Sequence, residues 1–149
     1  MITKEIEIVV TDEYMKLMDL FLRNDLEIPD EDEVPTDTVK CWKAIDPADY
    51  EMVGGCVLAK REGRYICDGI ATDERVRGLR VGEKLLFTML DEARSLGADE
   101  LYLVSRAPGF FARYDFVSIP RDDAPTFFEC FSCPQCNTTC FPEVMKRSL

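Results

Sequence analysis

The chain has 149 residues, of which 46% are hydrophobic and 10% aromatic, enough for one domain with its own core. Its formal net charge of −11 disfavours nucleic acids and anionic membranes as partners, because these select for lysine and arginine. The absence of histidine excludes Ser–His and Cys–His nucleophile pairs and histidine metal ligands.

The sequence also bears on the cellular compartment. No apolar run reaches the length of a transmembrane span, and the first residues lack the basic and apolar regions of a signal peptide. The seven cysteines are an odd number, which favours a reducing environment over a disulfide framework. We therefore expect a cytoplasmic protein without membrane partners, as a monomer or homodimer.

The first half of the chain predicts a strand, a helix and three further strands. Lys4–Val10 predicts the first strand, and Thr11 is a candidate helix cap with Asp12 and Glu13 in the first turn. One face of that helix carries Tyr14, Leu17, Met18, Phe21 and Leu22. The acidic, proline-containing stretch Leu26–Asp37 predicts a loop. Alternating segments separated by turns at 46–49 and 61–63 predict the strands Thr38–Ile45, Glu51–Ala59 and Arg64–Thr72.

The second half predicts a long helix, a buried strand, a short helix and a hairpin. The long helix has an apolar stripe and Gly97 at its end; the stripe is Val81, Leu85, Leu86, Met89, Leu90, Ala93 and Leu96. Leu101–Val104 predicts the buried strand, and Phe110–Tyr114 the short helix. The hairpin would pair Phe116–Ile119 with Thr126–Phe131. The predicted fold is a single α/β domain over residues 1–149, with a mixed, largely antiparallel sheet flanked by helices and a cysteine-rich C-terminal tail at 130–149.

The segment before the long helix is the clearest functional signal. Residues 73–83 hold three arginines and two glycines in an otherwise acidic chain. The first amides of a helix lack intrahelical partners, and the helix dipole makes that end positive. Glycines let a ligand approach the backbone closely, so this segment predicts an anion site, most simply for phosphate.

This segment resembles the acyl-CoA-binding motif of the GNAT family of N-acetyltransferases. That motif runs from a strand through Arg/Gln-x-x-Gly-x-Gly/Ala into a helix, and here it reads RGLRVG over residues 77–82. The element order over residues 4–131 also fits the family. The resemblance implies the acyl-CoA N-acyltransferase fold, acetyl-CoA as cosubstrate and an amine acceptor. It implies cosubstrate-binding residues at Ile70, Ala71, Thr72, Arg77, Gly78, Leu79, Arg80, Val81, Gly82 and Glu83.

The sequence departs from the family pattern at three positions. Arg80 replaces the first glycine of the phosphate motif. In the second motif, Phe-Tyr-x-x-x-Gly-Phe, Phe111 replaces the tyrosine that often protonates the departing thiolate, and Asp115 replaces the glycine. Tyr114 is then a candidate acid, although it should face another way than residue 111.

The acceptor and the base are less clearly encoded. Leu103–Ala107, two phenylalanines and the cysteine-rich tail resemble the N-acetylglutamate-synthase-like branch, whose acceptor is an amino acid, with Arg106 as a candidate carboxylate anchor. Asp68 is the acid of the strand preceding the phosphate motif and our candidate base, since partial burial would raise its pKa. Strand periodicity predicts that it shares a face with Arg64, Ile66 and Ile70, where Arg64 replaces the glutamate of the histone-acetylating branch. The alternatives are that Asp68 is solvated or ion-paired, and that Glu5, Glu7 or a water relay is the base.

Four cysteines cluster near the C-terminus with the spacing Cys-x2-Cys-x2-Cys-x3-Cys, at Cys130, Cys133, Cys136 and Cys140. They are compatible with reduced thiols or an incidental disulfide, with tetrahedral zinc, or with an iron–sulfur cluster. The preferred function is direct acetyl transfer from acetyl-CoA to a primary amine of a small molecule, an amino acid among the candidates, or of a peptide. The alternative is a non-catalytic module that binds acyl-CoA, or that binds a metal through the four clustered cysteines.

Overall fold

The computed structural model describes residues 6–23, 37–61, 63–76, 79–105, 108–120 and 143–149. Within these ranges the element order agrees with the predicted β-α-β-β-β-α-β-α-β, whereas the last described strand, at Glu143–Ser148, is not the predicted last strand. The helices are α1 (Tyr14–Arg23), α2 (Val81–Ser95) and α3 (Pro108–Ala112). The strands are β1 (Glu7–Thr11), β2 (Asp37–Asp46), β3 (Glu51–Arg61), β4 (Arg64–Thr72), β5 (Glu100–Ser105), β6 (Val117–Ser118) and β7 (Glu143–Ser148).

The described strands form one seven-stranded sheet in the order β1-β2-β3-β4-β5-β7-β6. All neighbouring strands are antiparallel except β4 and β5, which are parallel. The fold is therefore a mixed, mostly antiparallel sheet flanked by helices, which confirms the predicted fold class. None of the described helices is long and apolar enough to span a bilayer.

Helices α1 and α2 pack on opposite faces of the sheet. Consecutive strand residues alternate between two apolar clusters, since Trp42 and Cys56 belong to the cluster of α2, and Cys41 and Val57 to that of α1. The α2 stripe predicted from the sequence is buried except for Leu96, which follows the helix and is exposed. Gly97 then adopts φ 87°, as expected just past a helix end.

Glycines allow α1 to lie directly on the sheet. A Cβ built on Gly69 would be 2.6 Å from Cε2 of Phe21, and a Cβ on Gly55 would overlap the Leu17 side chain. Leu17 and Phe21 are both buried. These glycines therefore set the close approach of α1 to β3 and β4.

Helix α1 begins later than predicted. Thr11 ends β1, and its Oγ1 accepts the backbone N–H of Glu13 at 3.1 Å. The Glu13 carbonyl then accepts the N–H of Leu17, so Asp12 and Glu13 precede the first turn rather than lying in it. The hydroxyl still caps the segment that leads into the helix, as expected for threonine.

The C-terminal pairing also differs from the predicted hairpin. Strand β6 pairs with β7, through Val117↔Lys146 and Ser118↔Met145. Strand β7 lies between β5 and β6, inside the stretch expected to be a cysteine-rich tail. The predicted strand Thr126–Phe131 and most of the predicted loop Leu26–Asp37 fall outside the described residues; Asp37 begins β2.

Candidate active site

The start of α2 has no side-chain cap among the residues that the structure describes. Arg80 is the N-cap residue, its side chain makes no capping hydrogen bond, and its carbonyl accepts the N–H of Lys84 at 3.1 Å. The N–H groups of Val81, Gly82 and Glu83 therefore precede the first intrahelical hydrogen bond. They lie at the positive end of a helix of 15 residues, where an anion is stabilised.

Packing within the protein does not require glycine at position 82. A Cβ built on Gly82 would lie 3.5 Å from Cζ of Phe110 and 4.0 Å from Cγ2 of Thr72, both ordinary contact distances. Gly82 therefore lies at the helix start between Thr72, at the end of β4, and Phe110 of α3.

Two of the three departures from the family motifs have left-handed backbones. Arg80 has φ 60° and Asp115 has φ 67°, in the region that glycine adopts most easily. The Arg80 side chain is 81% exposed, and its Nε lies 4.0 Å from Oε2 of Glu83. Arg80 and Asp115 thus adopt the left-handed backbone that glycine would adopt more easily at these motif positions. Their side chains make this conformation less favourable than it would be for glycine.

Strands β4 and β5 separate next to the α2 start. They pair in parallel through Ile66↔Tyr102 and form no further ladder pair within the described residues. On its other edge β4 continues to pair with β3 as far as Gly54↔Thr72. The edge of Ile70, Ala71 and Thr72 that faces β5 can therefore accept an extended ligand as a neighbouring strand would. The backbone route predicted for an amide-rich pantetheine arm runs along this edge.

The prediction that Arg64, Ile66, Asp68 and Ile70 share one face is wrong. The β3–β4 register steps from Leu58↔Cys67 to Val57↔Gly69, so Asp68 is the extra residue of a β-bulge. Ile66 consequently packs with Ala59 and Tyr102, whereas Ile70 packs with the α2 cluster. Simple alternation could not reveal the bulge, since it depends on pairing with β3.

The bulge brings the Asp68 carboxylate near two thiols. Burial, followed by the charge of Asp68, raises the pKa of Cys41. Burial raises the pKa of Cys67 to about 12, with a smaller lowering by a hydrogen bond from the Gly69 backbone and a further increase due to Asp68. Burial also raises the pKa of Cys56, with smaller contributions from Cys67 and Cys41. These three thiols are therefore protonated near neutral pH.

The second motif places its aromatic rings beside α2. Phe111 is buried in the core against Phe116. Because residue 111 is a phenylalanine, no hydroxyl is present where the resembling motif has its tyrosine. The Tyr114 ring lies 5.2 Å from that of Phe110 and 5.5 Å from that of Phe87, measured between centroids. Tyr114 thus contacts the exposed side of α2, and its role as an acid stays a prediction. Sequence reasoning missed Phe110, because a Phe-Phe pair does not indicate which ring faces the helix start.

Other candidates are separate from this site or outside the described residues. Glu7 lies on β1, with β2 and β3 between it and β4. The described ranges contain no group of three or more histidine, cysteine, aspartate or glutamate side chains that could hold a metal ion. The structure does not describe Glu5, Arg77, Gly78, Arg106, Cys130, Cys133, Cys136 and Cys140.

Comparison with known proteins agrees with this geometry. Residues 11–116 match the model of the acetyltransferase (GNAT) family. No curated protein matches the sequence.

Solved structures share the fold at low sequence identity. A GNAT-family acetyltransferase from Staphylococcus aureus Mu50 is 20% identical, with TM-score 0.70, over 97% of this chain and 99% of that one. N-acetylglutamate synthase from Neisseria gonorrhoeae, complexed with coenzyme A and N-acetyl-glutamate, is 15% identical, with TM-score 0.70, over 97% of this chain and 36% of that one. A putative streptothricin acetyltransferase from Bacillus anthracis, in complex with acetyl coenzyme A, is 16% identical, with TM-score 0.58, over 85% and 67%.

Proposed function

The chain belongs to the GNAT family and is an acyl-CoA-dependent acetyltransferase, and we propose that it transfers acetyl directly from acetyl-CoA to a primary amine. The observation that carries the proposal is the junction of β4 and α2. There the β4 edge of Ile70–Thr72, which has no ladder partner on the β5 side among the described residues, leads into the uncapped amides of Val81–Glu83. The extended pantetheine arm of CoA, which ends in a pyrophosphate, matches this arrangement of a strand edge followed by a helix start.

We assign acyl-CoA binding to this junction. The amides of Val81 to Glu83 would hold the pyrophosphate, with Gly82 allowing close approach. The Leu79 amide, which the motif also suggested, already donates to the Val76 carbonyl at 3.1 Å. The β4 backbone near Ile70 and Thr72 would pair with the pantetheine amides, and a strand N–H would polarise the thioester carbonyl. Arg77 and Gly78 belong to the same proposal through the family motif.

Acetyl transfer then needs a base and a route for the leaving thiolate. Asp68 is our candidate base, taking the proton that the acceptor ammonium must lose before its nitrogen attacks the carbonyl carbon. The tetrahedral intermediate collapses by breaking the C–S bond, and the CoA thiolate takes a proton from water or from Tyr114. Because a CoA thiolate is a tolerable leaving group, the loss of the family tyrosine at Phe111 should slow the reaction without abolishing it.

Transfer without a covalent acyl-enzyme fits the described cysteines. Cys41, Cys56 and Cys67 are buried thiols with raised pKa values, which makes them poor nucleophiles. We therefore expect sequential kinetics, in which both substrates bind before CoA is released.

The acceptor class is a narrower proposal. The Neisseria structure contains N-acetyl-glutamate, which makes amino acids the first acceptors to test, followed by other small amines and peptides. We further propose that the protein acts in the cytoplasm, as a monomer or homodimer, without nucleic-acid or membrane partners. Its charge of −11 supports the last point.

The test is thiol release from acetyl-CoA over a panel of amino acids, polyamines and peptides, with the acetylated product identified by mass spectrometry. We expect amine-dependent release, with initial rates that fit a sequential mechanism. CoA binding without release for any acceptor would instead favour the non-catalytic acyl-CoA-binding module. A parallel-line pattern with an isolable acyl-enzyme would contradict direct transfer.

A further inference from the structure

The side chain of Phe21, on α1, occupies the space beside β4 that Gly69 leaves open. For a Cβ built on Gly69, the three nearest atoms are all in the Phe21 ring, with Cε2 at 2.6 Å, Cζ at 3.0 Å and Cδ2 at 3.2 Å. Phe21 is 2% exposed and belongs to the buried cluster between α1 and the sheet. Because close packing fixes its orientation, the ring forms a rigid apolar surface over this point of β4.

The thioester of a bound acyl-CoA would lie next to this ring. The proposed pyrophosphate site adjoins Thr72, since a Cβ built on Gly82 would lie 4.0 Å from Cγ2 of Thr72. The pantetheine arm is about as long as five extended residues, roughly 16 Å. Laid along β4 from Thr72 toward the start of the strand, the arm would end beside Gly69 and Asp68. Its thioester would therefore lie at the point of β4 that the Phe21 ring covers.

The gap between β4 and β5 closes just beyond this point. The ladder pair Ile66↔Tyr102 joins the two strands, and both side chains are buried. On the α2 face of the sheet, Cys67 and Leu103 belong to the buried core. An acyl group attached to the thioester would therefore be enclosed by the strand pair, by the core and, on the α1 face, by Phe21.

We propose that the Phe21 ring sets the size of the acyl group that this protein transfers and restricts it to acetyl. The inference rests on the proposed function, because it requires the pantetheine arm to lie along β4. Acetyl extends one methyl group beyond the carbonyl carbon, whereas butyryl extends three carbons, which would overlap the ring. The reaction is the same for each donor. The amine nitrogen bonds to the acyl carbon, the C–S bond breaks, and the thiolate and the proton lost by the amine together give CoA.

The test measures the binding of free CoA, acetyl-CoA and butyryl-CoA by calorimetry, which needs no acceptor. Wild type should bind acetyl-CoA more tightly than butyryl-CoA. Phe21→Ala should lower the ratio of the Kd for butyryl-CoA to the Kd for acetyl-CoA about tenfold or more, because the cavity left by the ring accepts the added methylenes. Phe21→Leu, which retains more of the packing, should shift this ratio in the same direction by a smaller factor.

The matched control is Leu20→Ala. Leu20 is buried in the same cluster, but its Cδ2 lies 3.5 Å from a Cβ built on Gly55 of β3, away from the gap between β4 and β5. Its truncation should loosen the packing of α1 and leave the Kd ratio at the wild-type value. Thermal melts establish that each variant is folded. With an amine identified from the acceptor panel, the ratio of kcat/KM for the two donors should change as the Kd ratio does.

Three outcomes would overturn the inference and leave the proposed function intact. The first is an unchanged Kd ratio in a folded Phe21 variant. The second is equal affinity of the wild-type protein for acetyl-CoA and butyryl-CoA. The third is an equal shift of the ratio in Leu20→Ala, since the effect would then come from loosened packing of α1. Failure of the wild-type protein to bind CoA at all would overturn the proposed function itself.

Discussion

Left-handed residues at the motif positions have a measurable energetic consequence. A side chain costs about 1 kcal/mol or more in this backbone region, because its Cβ approaches the following carbonyl. Arg80→Gly should therefore raise the free energy of unfolding by about 1 kcal/mol, whereas Arg80→Ala should leave it nearly unchanged. Asp115→Gly should act in the same direction but more weakly, because aspartate tolerates this conformation better than arginine.

Denaturant unfolding of the three variants measures these differences. Arg94→Gly is the control, since Arg94 lies within α2 and glycine there should lower stability by about 1 kcal/mol. If Arg80→Gly destabilised the protein as much as Arg94→Gly, the left-handed assignment at Arg80 would be wrong.

A substitution at Asp68 tests which group deprotonates the acceptor amine. Asp68→Asn keeps the shape of the bulge residue and removes its basicity, so turnover should fall about 10- to 1000-fold with CoA affinity retained. The pH dependence of kcat should also lose the limb that the carboxylate contributes. Asp91→Asn, at an exposed acid of α2, is the matched control and should behave as wild type. A variant at Asp68 with an unaltered pH–rate profile would remove it as the base.

At the level of elements, the contact of α1 with the sheet depends on two glycines. Gly69→Ala would place a methyl group 2.6 Å from Phe21 Cε2, so the ring or the helix must shift. We expect a loss of about 1–3 kcal/mol in unfolding free energy, partly recovered in the double variant with Phe21→Leu. Gly109→Ala is the control, because a Cβ there meets nothing within 4 Å. Equal stability of Gly69→Ala and Gly109→Ala would argue against close packing of α1.

The start of α1 carries a pH-dependent contribution to stability. Hydrogen bonds from Lys16 and Lys43 lower the pKa of Glu13 from 4.5 to about 2, and Lys43 ties the segment to β2. Since the folded-state pKa is lowered, Glu13 stabilises the fold above its unfolded pKa, and this contribution is lost as the pH falls toward 2.

Glu13→Gln should therefore lower the Tm near neutral pH, and its difference from wild type should shrink as the pH is lowered from about 7 to about 3. Circular-dichroism melts across this range measure the difference. Asp19→Asn, at an exposed acid within α1, is the comparison. A Glu13→Gln difference that did not depend on pH would contradict the ion-pair origin.

Local pattern predicted most elements but not their pairing. Alternation and helical periodicity were sufficient for the bounds of β4, for the buried stripe of α2 and for the element order from β1 to β6. Strand β7 was missed because only Val144 and Met145 of its residues are apolar, and its place between β5 and β6 depends on distant partners. The bulge at Asp68 was missed for the same reason, since register is a property of two strands.

For the whole molecule, the site combines distant parts of the chain that only the fold brings together. The motif predicted a phosphate site at the start of α2, and the uncapped amides found there agree with it. The contacts of the Tyr114 ring with Phe110 and Phe87 join the segment after β5 to α2 and could not be inferred from spacing. The family resemblance predicted where the cosubstrate binds but did not identify the acceptor, because the motif that carries the resemblance is an acyl-CoA-binding motif.

Calorimetric titration of CoA into the wild-type protein, Gly82→Asp and Leu96→Asp is the most direct test of acyl-CoA binding at the start of α2. Gly82→Asp puts a carboxylate in front of the helix amides, whereas Leu96→Asp adds the same charge at an exposed position past the other end. We expect saturable binding for wild type and Leu96→Asp and no detectable binding for Gly82→Asp, with all three proteins folded. A folded Gly82→Asp variant that binds CoA with wild-type affinity would contradict the assignment.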